Sequence, residues 1–287
     1  MTAQTRLVAL LGDPVGHSRS PGLHNSAFRA LGLDFAYAAF RVRPPDLADA
    51  VAGLRALGFA GANVTIPHKE AVLAHLDALT PAARAIGAAN TVVVREVGDG
   101  STRLEGDNTD AGGFLDGLAP HADAVEGAEA VVFGAGGSAR AVAYALLTAT
   151  DPARLTIVAR SPERAALLAS GLAGFDPGGA LRVAAPGDAR ALVRRARLVV
   201  NATPAGMRPH ETETPHADAD DFGPDHVVYD LVYAPAQTRL LREAAARGAR
   251  AVGGLVMLGG QAARSFERWT GQPLPAGVLA AWLEAGE

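Results

Sequence analysis

The stretch Ala128-Glu-Ala-Val-Val-Phe133-Gly134-Ala135-Gly136-Gly137-Ser138-Ala139-Arg140 reads as a short apolar strand, a glycine turn and the start of a helix. The apolar run continues through Leu147, as a helix packed on a sheet requires. Gly134, Ala135, Gly136, Gly137 and Ser138 therefore sit where helix N-terminal N–H groups can receive a dinucleotide pyrophosphate, with Ala139 in the permissive third position. The next strand, Leu155 to Ala159, delivers Ala159-Arg160-Ser161-Pro-Glu-Arg164. An NAD site would want an acidic residue at that strand end for the ribose 2′-OH, whereas Arg160 and Arg164 suit a 2′-phosphate, so the cofactor read here is NADP. Glu163 has another role open to it, as a first-turn helix carboxylate. Two further strands, Leu198 to Asn201 and Val227 to Asp230, continue the same domain. The fold class is α/β, with a Rossmann-type nucleotide domain expected over residues 113–254.

Upstream, Leu7 to Leu11 reads as a buried parallel strand closed by Gly12-Asp-Pro. The loop after it runs into a helix start, with Ser20 expected as N-cap and Pro21 at the first helical position. Ser18 and Ser20 then lie past the strand's carboxyl end, where hydroxyls and free N–H groups suit a small carboxylate; the plainer alternative is a cap and loop filler. Phe35 to Arg41 is a second strand, Pro45 to Leu57 an amphipathic helix, and Gly61 to Ile66 a third strand ended by Pro67. Lys69 is expected in the first turn of the next helix, at the sheet end where ligands collect in open parallel sheets. Thr80 and Pro81 open another helix that stops at Gly87, before the strand Val92 to Val94. Asn90, Asn108 and Asp110 stand at element ends, where turn chemistry or capping is the alternative to a binding role.

Lys69 is the single lysine; the other members of the Lys+Arg count of 26 are arginines. Arginine does not give up its proton in a protein, whereas a lysine in a dehydrated pocket can exchange one near neutral pH. Composition narrows the setting. At 287 residues there is room for about two domains. A net charge of -4 offers nothing for nucleic acid, and the absence of cysteine excludes disulfides and thiolate chemistry. The N-terminal apolar run reaches Gly12 too soon for a signal peptide or membrane span, which makes a cytoplasmic enzyme the expectation. The acidic, proline-bearing segment Met207 to Asp225 reads as an exposed loop; His210 and His216 lack a strong zinc spacing, so no metal site is assigned.

Four ordered motifs, Gly12-x-Pro14-x-x-His17-Ser18-x-Ser20-Pro21-x-x-His24-Asn25, Asn63-Val-Thr65-x-Pro67-x-Lys69, Gly87-Ala-x-Asn90-Thr91 and Gly106-x-Asn108-Thr109-Asp110, resemble the shikimate dehydrogenase family. The resemblance continues through Asn201-Ala-Thr203-Pro-x-Gly206-Met207, Tyr229-Asp-Leu231-Val-Tyr233-x-Pro235 and Gly254-Leu-x-Met257-Leu-x-x-Gln261-Ala262. It implies an N-terminal open α/β substrate domain (1–112 plus 255–287), a nucleotide domain and a cleft between them. It implies NADP-dependent interconversion of 3-dehydroshikimate and shikimate in aromatic precursor synthesis, with a small molecule as partner. Neither nucleic acid nor membrane enters, and a homodimer is compatible. The resemblance carries catalysis to Lys69 and Asp110, the carboxylate to Ser18, Ser20 and Tyr233, and ring hydroxyls to Asn63, Thr65, Asn90 and Gln261. It carries the cofactor to the glycine turn, to Ala159, Arg160, Ser161 and Arg164, and to Thr203, Leu231 and Gly254. Where the family commonly has Asn-Arg-Thr, this chain has Ala159-Arg160-Ser161, so an amide is lost and the hydroxyl survives. Quinate/shikimate and aminoshikimate dehydrogenases share these motifs, and a non-catalytic NADP-sensing module is the alternative of a different class.

Overall fold

A computed structural model describes residues 2–98 and 100–285. The chain falls into two compact units: one runs to Thr109 and resumes at Leu258, and the other spans Asp110–Met257.

The first unit carries strands β1 (Arg6–Gly12), β2 (Phe35–Arg41), β3 (Gly61–Val64), β4 (Ala78–Leu79), β5 (Thr91–Glu96) and β6 (Thr102–Asp107) in the order β2-β1-β3-β5-β6-β4. The sheet is mixed where a parallel one was expected, because β5 runs antiparallel to both β3 and β6. The reversal has a structural consequence. In register, Leu11 faces Val64, Asn63 faces Thr91, and Thr91 faces Asp107. One rim of the sheet therefore collects the residues that follow β1, β3 and β6 together with those that precede β5. All four N-terminal motifs converge there. Two apolar clusters cover the sheet; one joins Val8, Leu10, Leu23, Phe28 and Tyr37 to Ala262, Phe266 and Trp269 of the helix Gly254–Thr270. Gly61 is required at that seam, since a Cβ there would collide with the Val92 carbonyl and the Trp269 indole.

Local structure corrects several boundaries. The helix expected from Pro45 begins as a 3-10 turn, Pro44–Asp46, and is α-helical over Leu47–Ala56. Ser20 does not cap its helix: it is the first helical residue, after Arg19. Thr80 does cap Pro81–Ile86, accepting from Ala83 N at 3.2 Å, and Gly87 ends that helix with φ 70°.

The second unit carries β7 (Glu129–Phe133), β8 (Arg154–Val158), β9 (Leu181–Ala184), β10 (Leu198–Asn201), β11 (Val227–Asp230) and β12 (Arg250–Gly253). They form an all-parallel sheet ordered β12-β11-β10-β7-β8-β9, the doubly wound dinucleotide-binding order. Val158, Phe133, Asn201, Asp230 and Gly253 lie side by side in register at its carboxyl rim. The segment 207–225, read as an exposed loop, is partly packed: His216 is buried, stacked 6.2 Å from Phe133 and edge-on to Phe222. Among the described residues no helix is long and apolar enough to cross a membrane.

Candidate functional site

In the first unit, β1 hands over to the Ser18–Ser20 loop, where Ser20 N donates to Ser18 Oγ at 3.3 Å. The rest of the first turn of the helix Ser20–Ala30 is largely committed, since residue 21 is a proline and Leu23 N donates to Arg19 O at 3.4 Å. Gly12 lets Thr65 pack against the end of β1, since a Cβ there would strike the Thr65 methyl. Thr65 is half-buried, its N–H donating to Leu11 O at 2.9 Å and its carbonyl accepting from His68 N at 2.8 Å.

Lys69 is half-buried in a turn that precedes the 3-10 helix Ala71–His75; no α-helix starts there. The turn is pinned on both sides, by buried His68, whose Nε2 lies 2.7 Å from Val42 O, and by Ala89 N donating to Lys69 O at 2.8 Å. A carbonyl only accepts, so His68 carries a proton on Nε2.

The three amides assigned to ring hydroxyls share one buried polar network. Asn63 Oδ1 accepts from Tyr37 Oη at 2.8 Å, while its Nδ2 reaches Asn90 O at 3.1 Å, Ser265 Oγ at 3.0 Å and Thr91 Oγ1 at 3.3 Å. Asn90 Oδ1 accepts from Thr109 N at 2.8 Å, and its Nδ2 donates to Gln261 Oε1 at 3.2 Å. Gln261 Nε2 in turn donates to Leu258 O at 2.8 Å. Ser265 Oγ ties Thr91 (2.7 Å) and Thr109 (3.2 Å) into the group. Asn63, Asn90 and Gln261 are thereby held in fixed orientations. Tyr37 and Ser265 were not legible as site residues. The available signal was a hydroxyl on each element's buried face, Ser265 lying between Ala262 and Phe266 on a fully buried stripe. Asp110 follows Thr109 directly and is itself buried.

In the second unit, Gly134 adopts φ +112°, and a Cβ on it would approach Ala202 O to 3.0 Å. The helix Gly137–Ala149 starts from Gly136 with no side-chain cap, so the positive end of its dipole faces the glycine turn, as an anionic ligand requires. After β8, Ala159 is half-buried and Arg160 exposed; Ser161 caps the helix Pro162–Leu172 and donates to Glu163 Oε2 at 2.8 Å. That bond holds the Glu163 carboxyl below its usual range. Arg164 reaches over the glycine turn, with Nη2 3.8 Å from where a Gly136 Cβ would stand.

Past β10 and β11, Asp230 organises two loops. It is fully buried, accepting from Thr238 Oγ1 at 2.6 Å, Asn201 Nδ2 at 2.9 Å and Val232 N at 3.0 Å. Burial raises its pKa to about 6 against the lowering effect of those bonds. Asn201, oriented by Asp230, receives Thr203 N at 3.0 Å and Thr203 Oγ1 at 2.7 Å. Leu231 and Tyr233 leave β11 half-buried, and Gly254 abuts the Leu231 carbonyl. The sequence pattern assigns Asn201 and Asp230 no role of their own. Their partners show one.

Among the described residues, His216, Asp218 and Asp221 bring ligand atoms within 4.8 Å of one another. The cations at Asp221 are Arg190 at 3.3 Å and Arg194, and His216 Nε2 lies 3.1 Å from it. The carboxylates fasten the segment to the arginines of the helix Ala189–Val193 and its C-cap, and His216 packs on Phe133 of β7.

Comparison with known proteins follows these lines. Residues 10–92 match the shikimate dehydrogenase substrate binding domain, and residues 254–281 match the shikimate 5'-dehydrogenase C-terminal domain. The chain is 57% identical to the shikimate dehydrogenase (NADP(+)) of Salinibacter ruber, over 97% of either chain. It superposes with TM-score 0.87 and 36% identity on a solved shikimate dehydrogenase in complex with NADP+, covering 100% of this chain and 98% of that one. The shikimate 5-dehydrogenase of Thermus thermophilus, solved with NADP(H) and shikimate, gives a TM-score of 0.81 at 38% identity, covering 98% and 100%.

Proposed function

The chain belongs to the shikimate dehydrogenase family, and from that premise we propose that Lys69 and Asp110 carry the proton chemistry of its reaction. That reaction is the reversible NADPH-dependent reduction of 3-dehydroshikimate to shikimate, a step of chorismate and aromatic amino-acid biosynthesis.

The second unit's residues fit the cofactor. Gly134 leaves no Cβ between the glycine turn and the loop after β10, the helix Gly137–Ala149 starts without a side-chain cap, and Arg160 and Arg164 are exposed cations past β8. Arg160, Ser161 and Arg164 would hold the 2′-phosphate, and Thr203, Leu231 and Gly254 the remainder. When bound, NADPH supplies a hydride to the substrate's carbonyl carbon.

The chain's own part is charge and proton management. As the carbonyl oxygen becomes negative, the Lys69 ammonium donates a hydrogen bond to it and then the proton that completes the hydroxyl. In the direction of oxidation the same proton returns to the pair. Asp110 orients the substrate hydroxyl and shares the proton transfer with Lys69. Ser18, Ser20 and Tyr233 take the substrate carboxylate. Asn63, Thr65, Asn90 and Gln261 hold ring hydroxyls, which the fixed amide network favours by sparing substrate the cost of ordering them. A cytoplasmic location belongs to this proposal, since a chain without cysteine has no disulfide that needs an oxidising compartment.

One observation carries the assignment of Lys69: the register of β1, β3, β5 and β6 gathers the single lysine and the four motifs at one rim. Replacing Lys69 with Ala is expected to lower kcat by about 10²–10⁴ while leaving NADP affinity, read by nucleotide fluorescence, at the wild-type value. Turnover near wild type in Lys69→Ala would remove Lys69 from the chemistry.

A further inference from the structure

His24 and Asn25 belong to the first motif, yet nothing in the reaction uses them. Both point their side chains at the same residue. The Asn25 amide bridges the backbone of Tyr37, accepting from Tyr37 N at 2.8 Å and donating to Tyr37 O at 2.9 Å, as a neighbouring strand would at this sheet edge. The His24 ring stacks on the Tyr37 ring, centroids 4.5 Å apart and planes within 17°. Neither His24 ring nitrogen has a hydrogen-bond partner, so its contribution to Tyr37 is one of shape. Main chain and ring of Tyr37 are thus fixed from one helix, Ser20–Ala30.

The fixed element is the Tyr37 hydroxyl, 2.8 Å from Asn63 Oδ1. Its direction of donation follows from chemistry. Asn90 O lies 3.1 Å from Asn63 Nδ2, and a backbone carbonyl only accepts, so the amide nitrogen must face Asn90 and the amide oxygen must face Tyr37. The tyrosine therefore donates. The Asn90 carbonyl and the Tyr37 hydroxyl thus hold opposite ends of the amide; without the tyrosine donor the buried Oδ1 loses its partner and the Asn63 side chain is held from the nitrogen end alone.

We infer that Tyr37 is a positioning residue for the substrate's ring hydroxyls: held by His24 and Asn25, it pins the oxygen end of the Asn63 amide, whose nitrogen end the Asn90 carbonyl holds, and so fixes the place at which the substrate meets Asn63. The inference rests on the reading above that Asn63 binds substrate. It gives the otherwise unassigned His24-Asn25 pair a function in substrate recognition.

Tyr37→Phe is the clean test, because it keeps the ring that stacks on His24 and removes only the hydroxyl. The expected result is a KM for shikimate raised about tenfold, the scale of one hydrogen bond, with KM for NADP within about twofold of wild type. Leu54→Ala serves as the control. It opens a cavity in the other apolar cluster of the same unit, which contains neither His24 nor Tyr37, and is expected to lower Tm while leaving the KM for shikimate unchanged. An unchanged KM for shikimate in Tyr37→Phe overturns the inference. So does a parallel rise for shikimate and NADP in both variants, which would mark general loosening. Wild-type protein silent toward shikimate would sink the underlying reading, and this inference with it; that failure is visible before any variant is made.

Discussion

His24 makes the stability of the first unit depend on acid in a way that can be worked through. The ring is fully buried, against Tyr37, Phe28, Phe266 and Trp269, and burial lowers its pKa from 6.5 to about 3. The unfolded chain, with His24 near 6.5, binds a proton that the folded chain refuses. The stability attached to neutral His24 is therefore fully present above about pH 6.5 and is lost as pH falls toward 3. Each pH unit inside that window is worth about 1.4 kcal/mol, so at about pH 5 the loss is roughly 2 kcal/mol. His24→Leu keeps a similar volume and removes the titration. At neutral pH the variant is expected to match or exceed wild type, since a buried ring nitrogen without a partner costs about 1–3 kcal/mol. At about pH 5 the gap should widen by roughly 2 kcal/mol in favour of Leu. Urea unfolding midpoints of the two proteins across this range measure the gap. If it is the same at about pH 7.5 and about pH 5, then His24 accepts a proton in the folded state and the reasoning is refuted.

The second unit makes its own predictions. Asp230→Ala strips the acceptor from Asn201, Thr238 and Val232 at once, so Tm should fall by several degrees and KM for NADP should rise as Thr203 loosens. A lower Tm with an unchanged KM for NADP would show that Thr203 is held by other means. Replacing Arg160 and Arg164 together with Ala is expected to raise KM for NADP by about tenfold or more and to leave KM for NAD alone. Equal losses for both nucleotides would place these arginines elsewhere than at the 2′-phosphate.

The parts of the fold that were legible are those where local chemistry and tertiary role coincide. Leu198–Asn201 and Val227–Asp230 are strands at the limits their apolar runs suggest, and the glycine turn after Phe133 sits where its spacing places it. Thr80-Pro81 opens a helix and Gly87 ends it, as cap, ring and left-handed glycine dictate. What escaped was set by pairing. Thr102–Asp107 carries one fully buried apolar side chain, Leu104, too weak a pattern to mark a strand; it forms because Val97 and Ser101 close a turn that returns the chain along β5. The antiparallel run of β5 brings Asn90 to the active rim, and no local signal reports strand direction. Lys69 sits in a turn held by His68 and Ala89, contacts made across long stretches of chain, so a helix was the natural expectation from sequence and the wrong one. Within the site, residues that meet ligand have motif signatures. Residues that hold them, such as Tyr37 and Ser265, look like ordinary core.

The account's central claim is that this chain oxidises shikimate with NADP. Reduced-nucleotide absorbance, followed while the purified protein is offered shikimate or quinate with NADP or NAD, tests it directly. Turnover with shikimate and NADP, and little with the other three pairings, is the predicted result. Comparable or faster turnover with quinate or with NAD would contradict the substrate and cofactor assignment, and silence in all four would contradict the assignment of an active Lys69–Asp110 pair.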